Sequence, residues 1–356
     1  MLGDPAIDVP ASVLDAYGFS DDARNPIVGG LINQTFRIVR EGQPIAVVQR
    51  LHAIFGPQVN LDLDAITGHL ARVGLLTPRL VRTRAGHPWV ELEGQVWRAL
   101  SHIEGTTVHR IEQPATAHAA GELVGRFHRA VADLSHEYAF ARSGVHDTKA
   151  HLAALAAECD RPENQSLDAE ARDLVARARE LGAEILDAAS QRPSLSGLPL
   201  RHCHGDLKIS NILFAPGDAT RALCLLDLDT LGRQTIAYEM GDALRSWCNP
   251  RGENIARANL DREILAAAMA GYRSSVGDLL TAAEWASIIP GLQNICVELA
   301  SRFCVDVFRD EYFGWDATRY SSRRQHNLLR ARGQLDLARS VERQRTDLQR
   351  LVLARA

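Results

Sequence analysis

Ile, Val and Phe concentrate on both sides of a Gly/Pro-containing turn in TFRIVREGQPIAVVQR (residues 35–50), a pattern that predicts two strands closed as a hairpin. A short helix precedes it from Pro10 to Tyr17, and LDLDAITGHLARVG (61–74) follows with apolar residues at helical spacing. A second hairpin-like stretch, RLVRTRAGHPWVELEGQVWRALSHI (79–103), is punctuated by Gly86, Pro88 and Gly94. About the first hundred residues therefore predict an antiparallel sheet carrying one helix. From Pro114 the character changes to Ala/Leu/Arg/Glu-rich stretches of amphipathic-helix type: ATAHAAGELVGRFHRAVADL, AEARDLVARARELGAEILDAA and REILAAAMAGYRSSV. Between those helices, LRHCHGDLKISNILF and ALCLLDLDTLG are short apolar strands separated by the turn Ala215-Pro216-Gly217-Asp218, a small hairpin inside a helical region. Residues 334–356 predict an Arg-rich, solvated helix packed on one face.

Composition narrows the classes. A chain of 356 residues is longer than one core usually serves, so two domains are expected. A net charge of −4 offers no excess of base for a polyanion, which excludes nucleic acid as an expected partner. The six cysteines are scattered without a C-x-x-C pair and fall mostly in apolar runs, the pattern of buried thiols in a reducing cytoplasm. No basic segment leads into an apolar one at the N-terminus and no run of eighteen apolar residues occurs, so a cytoplasmic protein with no membrane partner is expected.

The chemistry concentrates at HCHGDLKISNILF. Asp206 lies in a loop before a strand, Asn211 at the strand's start, and Asp227 closes the next strand in LLDLD. Three such groups suit phosphoryl transfer, in which a carboxylate takes or orients the acceptor's proton while an amide oxygen and a second carboxylate hold Mg²⁺ on the phosphates. No sequence-local His/Cys cluster offers a zinc site. Taken singly, Asp206 and Asn211 could serve as turn and capping residues; HGD before them and the Asp-terminated strand after them favour catalysis.

HGDLKISNILF followed by LLDLD resembles the signature of the aminoglycoside phosphotransferase and choline kinase superfamily. The resemblance implies an α+β, two-lobed protein-kinase-like fold, with a small antiparallel-sheet N-lobe (1–102) that binds nucleotide. A larger, mainly helical C-lobe (103–356) would carry catalysis and bind the substrate. It implies ATP as donor with Mg²⁺, Asp206 as catalytic base, and Asn211 and Asp227 as metal ligands. Asp229, expected on the same side of the strand as Asp227, is either a further ligand or a satisfied carboxylate at the core edge. VGGLINQTFRI resembles the loop that covers the nucleotide, with Gly29, Gly30, Asn33 and Thr35 as candidates. The family's strand lysine is absent, and Arg50 takes its place as a phosphate partner. The helix acid is Asp62 or Asp64. Ser101 to Ile103 would form the connector that holds adenine, and Asp242 in YEMGDALRSW would buttress the catalytic loop.

Within the superfamily, GGLINQTF, VVQRLHAIF, WRALSHIEGTT, ELASRFCVDVFRDEYF and HNLLRARGQLDLARSVE are together similar to the N-acetylhexosamine 1-kinases and their bacterial homologues. A sugar site needs neutral hydrogen-bonding groups and an apolar face. His146, Asp147, Arg302 and Tyr312 are the candidates, each with a plain structural alternative: His146 and Asp147 within HDT as a helix cap whose Asp satisfies orphan amides, Arg302 as a helix-surface ion-pair partner, Tyr312 as core. Five arginines without an acid between Ala317 and Leu335 argue against a polycationic antibiotic as acceptor. Choline or another amino alcohol is the alternative acceptor, and a nucleotide-binding pseudokinase is a further one.

Overall fold

The computed structural model describes residues 8–27, 33–140, 146–162 and 164–354. They form two compact units. The first gathers the described residues up to Gly105 with those of 133–142 and Leu226–Leu231; the second holds the remainder.

The first unit contains α1 (Ala11–Tyr17), β1 (Ala23–Pro26), β2 (Gln34–Arg40), β3 (Gln43–Arg50), α2 (Val59–Arg72), β4 (Leu80–Val81), β5 (Val90–Leu92) and β6 (Gln95–Ser101). The strands form one antiparallel sheet in the order β1-β2-β3-β6-β4, with β5 also on β6. The predicted hairpin is β2 and β3, turned at Glu41 and Gly42, both at positive φ (50° and 79°), which matches the twist of the strands it joins. Alternation along β2 buries Phe36 and Ile38 against Val48, Trp97 and Ala99, and α1 covers them with Val13, Leu14 and Tyr17.

Two later segments belong to this unit for identifiable reasons. Asp62 on α2 is buried and accepts hydrogen bonds from His136 Nε2 (2.9 Å) and from the amides of Ala139 (2.8 Å) and Phe140 (2.9 Å), which ties 136–140 to the helix. Asp229 is held by Arg98 of β6.

The second unit comprises β7 (Thr106–Thr107), α3 (Pro114–Ala130), α4 (Thr148–Asp160), α5 (Ala169–Ser190), β8 (Arg201–Cys203), β9 (Ile212–Ala215), β10 (Asp218–Leu225), β11 (Gly232–Gln234), α6 (Ile236–Trp247), α7 (Arg262–Val276), α8 (Ala282–Arg309) and α9 (Arg323–Leu353). The expected hairpin is β9 and β10, extended by β7, and β8 pairs with β11. The 28-residue α8 carries Pro290 in its interior, where a helix loses one N–H donor. The carbonyl left over, that of Ala286, accepts from Gln349 Nε2 of α9 at 2.8 Å, so the helix continues. Beside it Gly291 lies against the Ala237 carbonyl of α6 so closely that a Cβ would sit 1.9 Å from that oxygen.

Three expectations are corrected. The last helix begins at Arg323, not at 334; Ser322 caps it by accepting from the Gln325 amide (3.2 Å), and its buried face includes the polar Asn327 and Gln334, which hid its first turns from a hydrophobic reading. Asp227 and Asp229 do not share a strand face: β10 ends at Leu225, Asp227 is left-handed (φ 58°, ψ 58°), and 228–230 form a 3₁₀ turn. Asn211 likewise closes a 3₁₀ turn over 209–211, immediately before β9.

His326 joins α9 to its surroundings. Its Nδ1 accepts from the Asp316 amide (3.3 Å), its Nε2 lies 2.9 Å from Asn254 Oδ1, and its ring stacks on Tyr320 at 3.9 Å. Burial, reinforced by the charge of Arg330, lowers its pKa to about 4 from an ordinary 6.5. The unfolded chain therefore binds the proton first. The stability that neutral His326 contributes is present above pH 6.5 and is lost as pH falls toward 4. Urea titrations at both ends of that window should show a loss on the order of 1–3 kcal/mol that shrinks in His326→Gln; equal losses in both proteins would refute it.

Candidate functional site

The loop between β8 and β9 carries the acid and the amide. Gly205 takes φ 82°, a backbone geometry that favours glycine, and turns the chain between His204 and Asp206. Asn211 Nδ2 donates to the main-chain oxygen of Asp206 (2.8 Å) and to its Oδ2 (3.0 Å), which leaves the amide oxygen of Asn211 as its remaining ligand atom. The same Oδ2 accepts from Lys208 Nζ at 2.5 Å. Burial would raise the Asp206 pKa, but the Lys208 ammonium, His204 and Arg245 together hold it below the ordinary carboxylate value. The residue is thus ionised at neutral pH. Lys208 is a functional candidate that the sequence reading passed over, although a cation two residues from the acid stood in the quoted motif.

Helix α6 supports this loop at four points. Glu239 accepts from the amides of His204 (2.7 Å) and Gly205 (2.9 Å), Trp247 Nε1 donates to the Leu207 carbonyl (2.8 Å), and Ser246 Oγ accepts from the Ile209 amide (3.0 Å). The buttress expected of Asp242 therefore belongs to Glu239, three residues earlier and in the helix's first turn. Asp242 instead pairs with buried Arg245 (2.9 Å), which also reaches Glu253 (2.9 Å). The ligand atoms of Glu239, His128 and Cys203 lie within 4.8 Å of one another, a grouping that no sequence spacing announced. All three are committed to protein partners: His128 Nδ1 to the Tyr272 hydroxyl (2.8 Å), Glu239 to the loop amides, and Cys203 Sγ to the Gln234 carbonyl (3.5 Å). Burial pushes the Cys203 thiol well above its usual range, which keeps it protonated.

In the first unit, Asp229 is buried and bidentate on Arg98, with Nη2 donating to Oδ2 at 2.9 Å and Nη1 to Oδ1; Asn33 Nδ2 adds a third donor at 2.6 Å. Of its two alternatives, this geometry favours the satisfied carboxylate. Gln49 Oε1 accepts from Arg98 Nε (2.9 Å) and Nη2 (2.7 Å), and Asn60 Oδ1 from Nη1 (3.3 Å). This pairing anchors the segment in which Asp227 holds its left-handed conformation, one that Asp tolerates better than most residues and that recurs at functional sites. Arg98 was missed at the sequence level; its signal was a charge inside the apolar strand VWRAL, which demands a buried partner.

The other nucleotide candidates fall as follows. Gly29 and Gly30 lie outside the described residues. Asn33 uses both ends of its amide, accepting from the His52 amide (2.9 Å) while donating to Asp229, and Thr35 Oγ1 accepts from Gln49 Nε2 (3.2 Å). Arg50 ends β3, opposite Gln34 and Trp97. Ser101 donates its amide to the Arg79 carbonyl (2.8 Å) and accepts the Arg79 amide on Oγ (2.9 Å), and the half-buried Ile103 follows. Of the two helix acids, Asp62 holds 136–140 and Asp64 pairs with Arg82.

The acceptor candidates sit in the second unit. Asp147 caps α4 by accepting from the Ala150 amide (2.9 Å), as its structural alternative foresaw. His146 Nδ1 bonds Glu298 Oε1 (3.1 Å), Arg302 lies 3.9 Å from the same oxygen and 5.6 Å from the Phe313 ring centroid, and Tyr312 is exposed beside Phe313. The arginines of 317–335 are largely engaged: Arg323 and Arg324 with Asp310, Arg332 with Glu184, and Arg330 with the Gly314 carbonyl. Their charge is a weaker argument against a cationic acceptor than the sequence suggested.

A family model described as "Phosphotransferase enzyme family" matches residues 23–274. The homoserine kinase of Methylorubrum populi is 29% identical over 209 residues, 58% of this chain and 57% of that protein. That of Methylobacterium nodulans is 31% identical over 182 residues, 51% and 50% of the two chains. The chain spans about half the length of these curated relatives. Among solved structures, an aminoglycoside phosphotransferase from Alicyclobacillus acidocaldarius superposes with TM-score 0.62 at 16% identity, covering 97% of this chain and 98% of that one. A microcompartment-associated aminopropanol kinase gives 0.61 at 16% identity, covering 95% and 97%. An amicoumacin kinase in complex with AMP-PNP and Ca²⁺ gives 0.57 at 14% identity, covering 88% and 87%. These superpositions show a common fold, mixed α and β with an antiparallel-sheet N-terminal region and a helical C-terminal region.

Proposed function

The chain belongs to the phosphotransferase enzyme family, and from that premise we propose that it transfers the terminal phosphoryl group of ATP to a small-molecule hydroxyl, the anomeric hydroxyl of an N-acetylhexosamine. The observation that carries the kinase reading is the Asp206 loop: an ionised carboxylate, tied to Asn211 and held through four contacts from α6. Asp206 would orient the acceptor hydroxyl and receive its proton, while Lys208 holds the carboxylate's direction. The amide oxygen of Asn211 and the carboxylate of Asp227 are hard donors of the kind magnesium takes, and they are the proposed ligands. A magnesium ion held by such donors would neutralise phosphate charge. Arg50 is the proposed phosphate partner in the first unit, with Gly29, Gly30, Asn33 and Thr35 as proposed nucleotide-binding residues and Ser101 to Ile103 as the proposed adenine contact.

The sugar reading is supported by the motifs of 29–36, 97–107, 298–313 and 326–342, and by a polar acceptor region with hydroxyl, imidazole and carboxylate groups beside aromatic rings. The homoserine kinase relatives and the aminopropanol kinase neighbour favour an amino-alcohol acceptor as the second reading. A coupled ATP assay with N-acetylglucosamine, N-acetylgalactosamine, homoserine, choline and kanamycin separates them. Turnover is expected with the hexosamines; turnover with homoserine or choline alone would end the sugar reading. Thermal protection by ATP without any phosphorylated product would indicate a pseudokinase.

A further inference from the structure

The polarity of the hydrogen bonds around Glu298 can be followed atom by atom. Glu298, on α8, is fully buried; its Oε1 accepts from His146 Nδ1 (3.1 Å) and its Oε2 from the Thr148 hydroxyl. Burial would raise its pKa, but the bonds from His146 and Thr148 and the charge of Arg302 hold it below the ordinary value, so the carboxylate only accepts. The single proton of Thr148 is thereby committed. Its second contact, 3.2 Å to the Tyr238 hydroxyl, must then have the phenol as donor. His146 carries a proton on Nδ1, and in the neutral ring Nε2 is a lone pair. Among the described contacts the phenol oxygen of Tyr238 is left as an acceptor, and with a neutral imidazole Nε2 of His146 is one too, on rings stacked at 5.3 Å and 11°. Both side chains are only half-buried; Arg302 lies 3.9 Å from the Glu298 carboxylate, and the charge of Arg192, bonded to Asn294, is felt by Tyr238 and Glu298. Tyr238 directly precedes Glu239 on α6, so this face shares a helix turn with the support of the Asp206 loop.

We propose that Glu298 sets the hydrogen-bond polarity of the acceptor subsite, so that His146 and Tyr238 receive protons from the acceptor molecule. The subsite then selects ligands that present hydroxyl or amide N–H donors to it. Glu298 is a positioning residue acting through the two rings. The inference rests on the proposed transfer to a hexosamine and narrows it: a group that accepts without donating forms no hydrogen bond with these two rings.

The test uses N-acetylglucosamine and its 3-, 4- and 6-deoxyfluoro analogues, in which fluorine replaces a donor with a group that cannot donate. At least one analogue should raise the sugar KM about tenfold or more with KM for ATP unchanged, and the ratio of analogue to parent KM should fall toward one in Glu298→Gln, where an amide can reverse the chain. A ratio unchanged by Glu298→Gln, or no penalty for any analogue, overturns the proposal. Should no hexosamine be phosphorylated, the sugar reading fails. The polarity is then read without an acceptor, from ¹⁵N-histidine spectra of the wild-type protein with the His146 signals identified by their loss in His146→Gln. A proton on Nδ1 with Nε2 bare sustains the inference, and a proton on Nε2, alone or together with one on Nδ1, overturns it.

Discussion

Asp206→Asn should lower kcat about a thousandfold while leaving the affinity for ATP within about twofold. The amide keeps the shape and can still bond Asn211, but it cannot take a proton and no longer attracts the Lys208 ammonium that lies 2.5 Å from the carboxylate. The loop itself should persist, because its four supports from α6 reach His204, Gly205, Leu207 and Ile209 and do not involve the Asp206 side chain. Coupled kinetics read the first quantity and calorimetry the second. Turnover at the wild-type rate would show that another group is the base.

The second large effect is on stability. Arg98→Met should destabilise the first unit by about 3–5 kcal/mol, because it strands the Asp229 carboxylate in the interior with Asn33 as its remaining donor among the described residues. Arg98 and Asp229 are respectively 1% and 0% exposed, so water offers no substitute partner. Adding Asp229→Asn to Arg98→Met should recover part of the loss, since no buried charge then remains. The same variant should weaken metal-nucleotide binding: Asp227 sits two residues from the pair, in a left-handed conformation that depends on the anchoring of its segment. Denaturant unfolding followed by circular dichroism reports the stability. A loss below about 1 kcal/mol would place the pair among those that contribute little.

The legible parts of the molecule were those whose signals are local. The β2 and β3 hairpin follows from β-branched residues on either side of a turn, and the link between Asp206 and Asn211 spans only five residues. What escaped depends on partners far apart in the chain. Arg98 and Asp229 are 131 positions apart, and neither position alone announces the other. Pro290 argues against a helix until Gln349, from another helix, satisfies the carbonyl it frees. Glu239 and Asp242 look alike as candidates to support the loop, and only the rotation of α6 decides that Glu239 faces the amides. The capping role of Asp147 was foreseen as an alternative and is realised, whereas the carboxylate that organises His146 comes from 152 positions away.

The most direct test of the central claim is to incubate the protein with ATP, magnesium and N-acetylglucosamine or N-acetylgalactosamine and to identify the product by ³¹P and ¹H spectra. The account predicts a hexosamine bearing phosphate on its anomeric oxygen, formed by the wild-type protein and absent with Asp206→Asn. ATP consumed with homoserine or an amino alcohol, and no sugar phosphate under any condition, would contradict it.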